Sequence, residues 1–219
     1  MNDTLLAGAT GLVGRELMVL LVREAATGRA GALHVVVRRP ITVPPGVHAI
    51  VADFVRLPAL PPAATAYCAL GTTIKQAGSQ PAFRAVDHDA VLAFARAARA
   101  AGAHRLAVVS ALGADAGSAV FYNRVKGETE AALKALGFEV LVIVRPSLLE
   151  GDRQALGQPT RPGERIGSIV AAIAGPLIPR SLRPIKADVV ARGMLACMND
   201  RPAGVHIVES GELLRMDRA

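Results

Sequence analysis

The sequence predicts an α/β fold in which a parallel sheet is covered by helices on both faces. Three observations carry this. Short continuous apolar runs alternate with segments of helical periodicity, the pattern of strands buried on both sides. A glycine trio, "GATGLVG", closes the first apolar run and opens the first helical segment. The 219 residues are 52% hydrophobic but only 3% aromatic, so a sizeable core must be built from Ala, Val, Leu and Ile.

Taken in order, "TLLAGA" is the first strand, ended by glycine. "LVGRELMVLLVREA" is the first helix, with helical spacing through Leu17, Leu20 and Leu21 to Glu24. "ALHVVVRRP" is the second strand, closed by Pro40, and "HAIVADF" the third. "AYCALGTT" is the fourth and ends at Gly71. "VDHDAVLAFARAARAAG" is an Ala-rich helix stopped by Gly102, and "HRLAVVSALG" the fifth strand. "VFYNRVKGETEAALKALG" is a helix stopped by Gly137, and "FEVLVIVRPS" a sixth strand halted at Pro146. This order is that of a doubly wound, Rossmann-type nucleotide-binding sheet.

Beyond Pro146 the character changes. "GDRQALGQPTRPGERIG" reads as a long loop, and the stretch from Gly151 to Glu164, with Arg153 and Arg161, is expected to lie over the substrate end of a cleft as a lid; a plain surface insertion is the alternative. "IGSIVAAIAGPL" and "ADVVARGMLACMND" read as short helices and "GVHIVES" as a last strand. The expectation is one nucleotide-binding domain over residues 1–219, with 147–219 as a small C-terminal extension on its substrate side.

The net charge of +7 fits either an Arg-rich solvated surface or an anionic ligand such as a phosphorylated cofactor. The basic residues are scattered and aromatics are scarce, which disfavours a nucleic-acid partner. Cys68 and Cys197 form no CxxC, so neither a disulfide framework nor a metal site is expected. "MNDTLLAGATG" has no positive n-region, and no apolar run approaches the ~20 residues of a membrane span. The expected setting is therefore cytoplasmic, away from membranes.

The motifs carry the chemistry. Gly8 permits a tight turn, Gly11 lets the backbone approach a pyrophosphate, and Gly14 lets the helix pack on the sheet. Thr10, Leu12 and Val13 complete this phosphate-binding turn, whose free N–H groups and helix dipole favour an anion. A purely structural turn is the alternative. At the end of the second strand stand Arg38 and Arg39, where an NAD-binding domain often has a carboxylate. Guanidinium can grip a 2′-phosphate, which points to NADP(H) over NAD(H); two solvated arginines are the bland reading. Asp53 is placed either to reach an adenine amino group or to cap a helix. Tyr122 is one of only two tyrosines, and Lys126 follows one helical turn later on the same face. An ammonium beside a phenol favours phenolate and gives a usable proton donor or acceptor. Ser110 ends the fifth strand at the ligand-binding edge, where its hydroxyl could polarise a carbonyl.

Gly8, Gly11 and Gly14, with Ser110 and Tyr122-xxx-Lys126, resemble the short-chain dehydrogenase/reductase superfamily. "CALGTTIKQAGS", "FRAVDHD", "SALGAD", "YNRVKGE" and "RPSLLEGDRQ…RPGE" resemble its atypical NAD(P)H-binding branch, in particular the HIV Tat-interacting protein 2-like group. The resemblance implies Tyr122 as catalytic acid/base and Lys126 as the residue that tunes it and holds the nicotinamide ribose. It implies Ser110 as the residue that orients the substrate, with Tyr122 also on the substrate side; Arg153, in the lid segment, is the further candidate to contact an anionic substrate. Leu70, Gly71 and Thr72 would pass beneath the cofactor, and Pro146 and Ser147 would lie near the nicotinamide. Two departures stand out: "CALGTT" occupies the place where many members carry Asn-Ala-Gly, and the region after residue 147 is short for a nucleotide-sugar pocket. The favoured function is an NADP(H)-dependent oxidoreductase acting on a small carbonyl or alcohol. An NADPH-binding redox sensor acting on a protein partner is the alternative, and a sugar-nucleotide epimerase a weaker one. A homodimer is left open.

Overall fold

The computed structural model describes residues 3–150 and 183–217. Seven parallel strands form one sheet: β1 (Thr4–Ala7), β2 (Leu33–Val37), β3 (Val47–Val51), β4 (Thr65–Cys68), β5 (Arg105–Val109), β6 (Val140–Arg145) and β9 (Gly204–Glu209). Their order is β3-β2-β1-β4-β5-β6-β9, as in the Rossmann-type arrangement. The chain leaves β1 toward one edge and returns at β4 toward the other, so a crevice opens between the loops that follow these two strands.

Alternation along each strand sends side chains to two separate cores. Leu6, Val35, Tyr67, Ala107 and Val142 face one side, where α1 (Leu12–Ala26) contributes Val13, Leu17 and Leu21. On that side α6 (Ala187–Asp200) adds Val190, Met194 and Cys197. Leu5, Ala66, Cys68, Leu106 and Ile143 face the other, against Phe94, Ala95 and Ala98 of α4 (Val91–Ala100) and Leu133 of α5 (Phe121–Lys134). Fully buried strands need near-continuous apolar runs, which is why these segments show no polar alternation.

The chain after Gly71 departs from expectation. Two short helices, α2 (Ile74–Ala77) and α3 (Gln80–Arg84), precede the Ala-rich helix. Each has a side-chain cap: Thr73 accepts from the amide of Gln76 at 3.1 Å and Ser79 from that of Ala82 at 3.2 Å. Residues Ala85–Ala90 then form a π-turn rather than the first turns of an α-helix. The hydroxyl of Thr129 on α5 lies 3.1 Å from the Asp87 carbonyl and 2.7 Å from the Val125 carbonyl of its own helix, so its one hydrogen goes chiefly to Val125.

The helix over "ADVVARGMLACMND" and the strand over "GVHIVES" form as α6 and β9, and β9 lies parallel to β6 at the sheet edge. A two-strand ladder, β7 (Leu149–Glu150) with β8 (Ile185–Lys186), and a final helix, α7 (Ser210–Met216), were not foreseen. The proposed lid from Gly151 to Glu164 and the helix over "IGSIVAAIAGPL" lie outside the described residues. Among the described residues no helix is long and apolar enough to cross a membrane.

Candidate functional site

The loops after β1, β4, β5 and β6 enclose a cleft of about 500 Å³ at the carboxyl edge of the sheet. One wall is the glycine turn. Gly8 has φ +86°, and a Cβ there would fall 2.4 Å from the carbonyl carbon of Ala69. A Cβ on Gly14 would fall 2.0 Å from the Gly8 oxygen. These two glycines thus let β1, α1 and the loop after β4 meet, while Gly11, Leu12 and Val13 line the cleft itself. Gly11 caps α1 with no side-chain acceptor, and the first turn contains no acidic residue. The free amides and the positive end of the helix therefore face open space, which suits a phosphate. A dinucleotide cofactor fits the residues present on this ground. Thr10 is exposed just outside the cleft lining.

The other sequence-predicted cofactor residues divide. Leu70, Gly71 and Thr72 line the cleft, as do Pro146 and Ser147. Arg38 and Arg39 are exposed beyond the end of β2, on the same sheet edge but outside the cleft lining. Asp53 is exposed and also outside it. Its carboxylate accepts from the amide of Val55 at 3.0 Å, an Asx turn, and no helix begins there, so the helix-cap alternative falls. Arg153 lies outside the described residues.

Tyr122 and Lys126 project from one face of α5 into the cleft. The Tyr122 ring rests on Phe83 of α3, with centroids 5.3 Å apart. Lys126 is almost fully buried, and its Nζ lies 2.8 Å from Oδ1 of Asp87, which is 1% exposed. The contact is an ion pair rather than a well-directed hydrogen bond, because Oδ1 has no hydrogen-bond partner. The second oxygen, Oδ2, accepts from the amide of Thr72 at 2.8 Å. Burial, the largest single influence, would pull the Lys126 ammonium down, but the Asp87 carboxylate, with smaller help from Tyr122 and Cys68, holds the lysine above its ordinary value. Asp87 therefore joins the π-turn, the loop after β4 and α5. Sequence reasoning passed it over, although a signal was present: Asp87 stands four residues before buried Val91, a carboxylate on the apolar face of its helix.

A second buried polar group supports Ser110. Its hydroxyl donates to Glu130 Oε1 at 2.5 Å. Arg145, at the end of β6, grips the same carboxylate with Nε at 2.9 Å and Nη2 at 2.6 Å. Those hydrogen bonds to Glu130 hold the Arg145 guanidinium above its usual range. Ser147 is tied into the wall: its amide donates to Ser210 Oγ at 2.7 Å, and its hydroxyl donates to the Arg183 carbonyl. Glu130 and Arg145 were also missed, although Glu130 follows Lys126 at the same four-residue step that separates Tyr122 from Lys126.

Residues 8–200 match the family described as NAD(P)H-binding. HTATIP2 of Rattus norvegicus is 35% identical over 171 residues, covering 74% of this chain and 67% of that protein. The chain belongs to this NAD(P)H-binding, atypical short-chain dehydrogenase/reductase family. Members that align over nearly the whole chain include "Protein fmp52, mitochondrial" of Aspergillus clavatus, 32% identical and covering 98% of each chain. The protein of the same name from Eremothecium gossypii is 33% identical over 98% of this chain and 96% of its own length. Among solved structures, MoeE5 in complex with UDP-glucose and NAD superposes with a TM-score of 0.67 at 19% identity, covering 98% of this chain and 80% of its own. Gox2253 gives 0.69 at 19% identity, covering 95% and 70%. These likenesses establish the family fold. The family members' names overturn one expectation: the fungal relatives are named as mitochondrial, so the cytoplasmic setting read from the N-terminus does not stand.

Proposed function

We propose that this family member is an NADP(H)-dependent oxidoreductase that interconverts a small carbonyl compound and its alcohol. The observation that carries the reading is that Tyr122, Lys126 and Ser110 border the same cleft as the uncapped start of α1. Tyr122 exchanges a proton with the substrate oxygen. Lys126, kept cationic by Asp87, holds the ribose end of the cofactor and biases the phenol toward proton transfer. Leu70, Gly71 and Thr72 form the floor under the dinucleotide, and Pro146 and Ser147 the wall beside its nicotinamide. A bound nicotinamide supplies the hydride in reduction and takes it up in oxidation. Residues from Ser147 onward form the substrate side of one continuous domain. The fungal relatives' names favour a mitochondrial setting for this chemistry.

The preference for the phosphorylated cofactor rests on Arg38 and Arg39. Both are exposed just after β2, on the sheet edge that carries the cleft, and neither pairs with a carboxylate among the described residues, so their charge is available to a 2′-phosphate. The test is equilibrium binding of NADPH and NADH, followed by turnover across aldehydes, ketones and quinones. Tighter NADPH binding with turnover on any of these is the expected result. Tight NADPH binding without turnover would replace the enzyme reading by a cofactor-sensing binder, and equal affinities would remove the arginine assignment.

A further inference from the structure

Ser110 borders the cleft with its only hydrogen already committed. Its partner Glu130 is 2% exposed and is held by both Nε and Nη2 of Arg145. A carboxylate gripped along both oxygens by a guanidinium is purely an acceptor. In the 2.5 Å contact between Ser110 and Glu130, the serine must therefore donate. A serine hydroxyl has one hydrogen and two lone pairs, so lone pairs are what remain for the cleft. A carbonyl oxygen placed there would set lone pair against lone pair. A hydroxyl placed there would donate.

We propose that Ser110 serves the cleft as a hydrogen-bond acceptor, fixed in that sense by Glu130 and Arg145, and selects ligands that present a hydroxyl at this point over those that present a carbonyl oxygen. The inference rests on reading this cleft as the substrate site, and it narrows the substrate to hydroxyl-bearing compounds. The hydroxyl is the neighbour of the reacting carbon, because a reacting alcohol has a single hydrogen and must keep it for Tyr122. Glu130 and Arg145 are positioning residues: neither lines the cleft, and both act through Ser110. Replacing the carboxylate by an amide reverses the polarity. In Glu130→Gln, Nη2 of Arg145 keeps the amide oxygen, the amide nitrogen takes the place of Oε1 with loss of the Nε contact, and the serine accepts from it and points its own hydrogen into the cleft.

The test measures binding without turnover. The full chain is saturated with a redox-inert tetrahydronicotinamide adenine dinucleotide phosphate, and affinities for cyclohexanol, cyclohexanone and 2-hydroxycyclohexanone are measured by ligand-observed NMR. The wild type should favour 2-hydroxycyclohexanone over cyclohexanone by about three- to tenfold, the effect of one hydrogen bond. That preference places the neighbouring hydroxyl on Ser110 and leaves the carbonyl oxygen to Tyr122, whereas preference for cyclohexanol alone overturns the proposal, because its single hydrogen would go to Ser110 instead of Tyr122. Glu130→Gln should shift the ratio toward cyclohexanone. Ser110→Ala should erase the ratio while leaving the Glu130–Arg145 pair intact, and it decides the matter if Glu130→Gln does not fold. Cyclohexanone binding as well as or better than 2-hydroxycyclohexanone, a ratio unchanged in Ser110→Ala, or no binding of any of the three overturns the proposal. A silent turnover panel alongside the expected binding ratio would instead overturn the oxidoreductase reading alone.

Discussion

Lys126 is a cation that the fold can bury only because Asp87 is there. Removing that partner leaves an uncompensated buried charge, and Asp87→Asn should cost about 3–5 kcal/mol of stability. Its pH dependence separates this cause from loss of packing. In the wild type the folded value of Lys126 lies above its ordinary 10.5, so its contribution to stability is complete below that pH and is lost as pH rises through the folded value. In Asp87→Asn burial loses its main opponent, the folded value is expected to drop below the ordinary one, and the sign reverses. The variant should then gain stability relative to wild type as the solution is made alkaline toward about pH 10, measured by urea midpoints. An unchanged difference across that range would mean that Asp87 is not the counter-charge. Tyr122→Phe should lower turnover by about 10²–10⁴-fold, with NADPH affinity nearly unchanged because the ring still rests on Phe83. Replacing Arg38 and Arg39 together by Ala should weaken NADPH by at least about tenfold and NADH far less, from ~1.5–3 kcal/mol per charged hydrogen bond. At this scale Tyr122, Lys126 and Ser110 were legible because residue type and spacing announce them. Asp87, Glu130 and Arg145 were not, because they act on those residues through contacts between separate elements.

α5 shows how one element gathers a site. Tyr122, Lys126 and Glu130 recur every four residues, so one helical face carries the proton-transfer group, its cation and the carboxylate that orients Ser110. That face is held at the right height by Gly127. A Cβ there would lie 2.1 Å from the Ala116 amide nitrogen and 2.2 Å from the Asp115 carbonyl carbon. Helix propensity favours Ala over Gly by ~1 kcal/mol, so on local grounds Gly127→Ala should stabilise the protein. The clash is with backbone, which cannot swing aside, and overpacking of this kind costs about 1–3 kcal/mol. We expect a net loss of thermal stability and weaker cofactor binding together, as α5 is pushed off the 115–116 loop. A higher melting temperature in Gly127→Ala would show that the loop yields. The helix itself was plain in the sequence from its periodicity and from its stop at Gly137. The chain between Gly71 and Val91 was not, because two four- to five-residue helices and a π-turn leave no periodic signature long enough to read.

On the scale of the whole molecule, the sheet order places the crevice, and the C-terminal region completes the layer beneath it. The alternation of strands and helices made the parallel sheet legible, but the pairing of β9 with β6 joins residues far apart in the chain, and nothing local to "GVHIVES" specifies that neighbour. The same holds for α6, whose amphipathic face is visible in the sequence while its partner, α1, is not. Val189, Val190, Met194 and Met198 are buried in the same core as Leu17 and Leu21 of α1. At about 1.5–3 kcal/mol for each buried side chain, these four contribute ~6–12 kcal/mol. That rivals the ~5–15 kcal/mol by which a folded domain typically exceeds its unfolded state. A fragment ending at Glu150 would keep the glycine turn, Ser110, Tyr122 and Lys126, yet it would bare the part of one sheet face that α6 covers and leave β6, apolar but for Arg145, as an open edge. It should therefore fail to melt cooperatively and should aggregate or bind NADPH far more weakly than the full chain, as followed by circular dichroism and size-exclusion chromatography. A soluble fragment with a sharp thermal transition and full NADPH affinity would instead divide the molecule at that point. The region after Ser147 would then be a separable attachment to the cofactor-binding unit, and the reading of one continuous domain would be wrong.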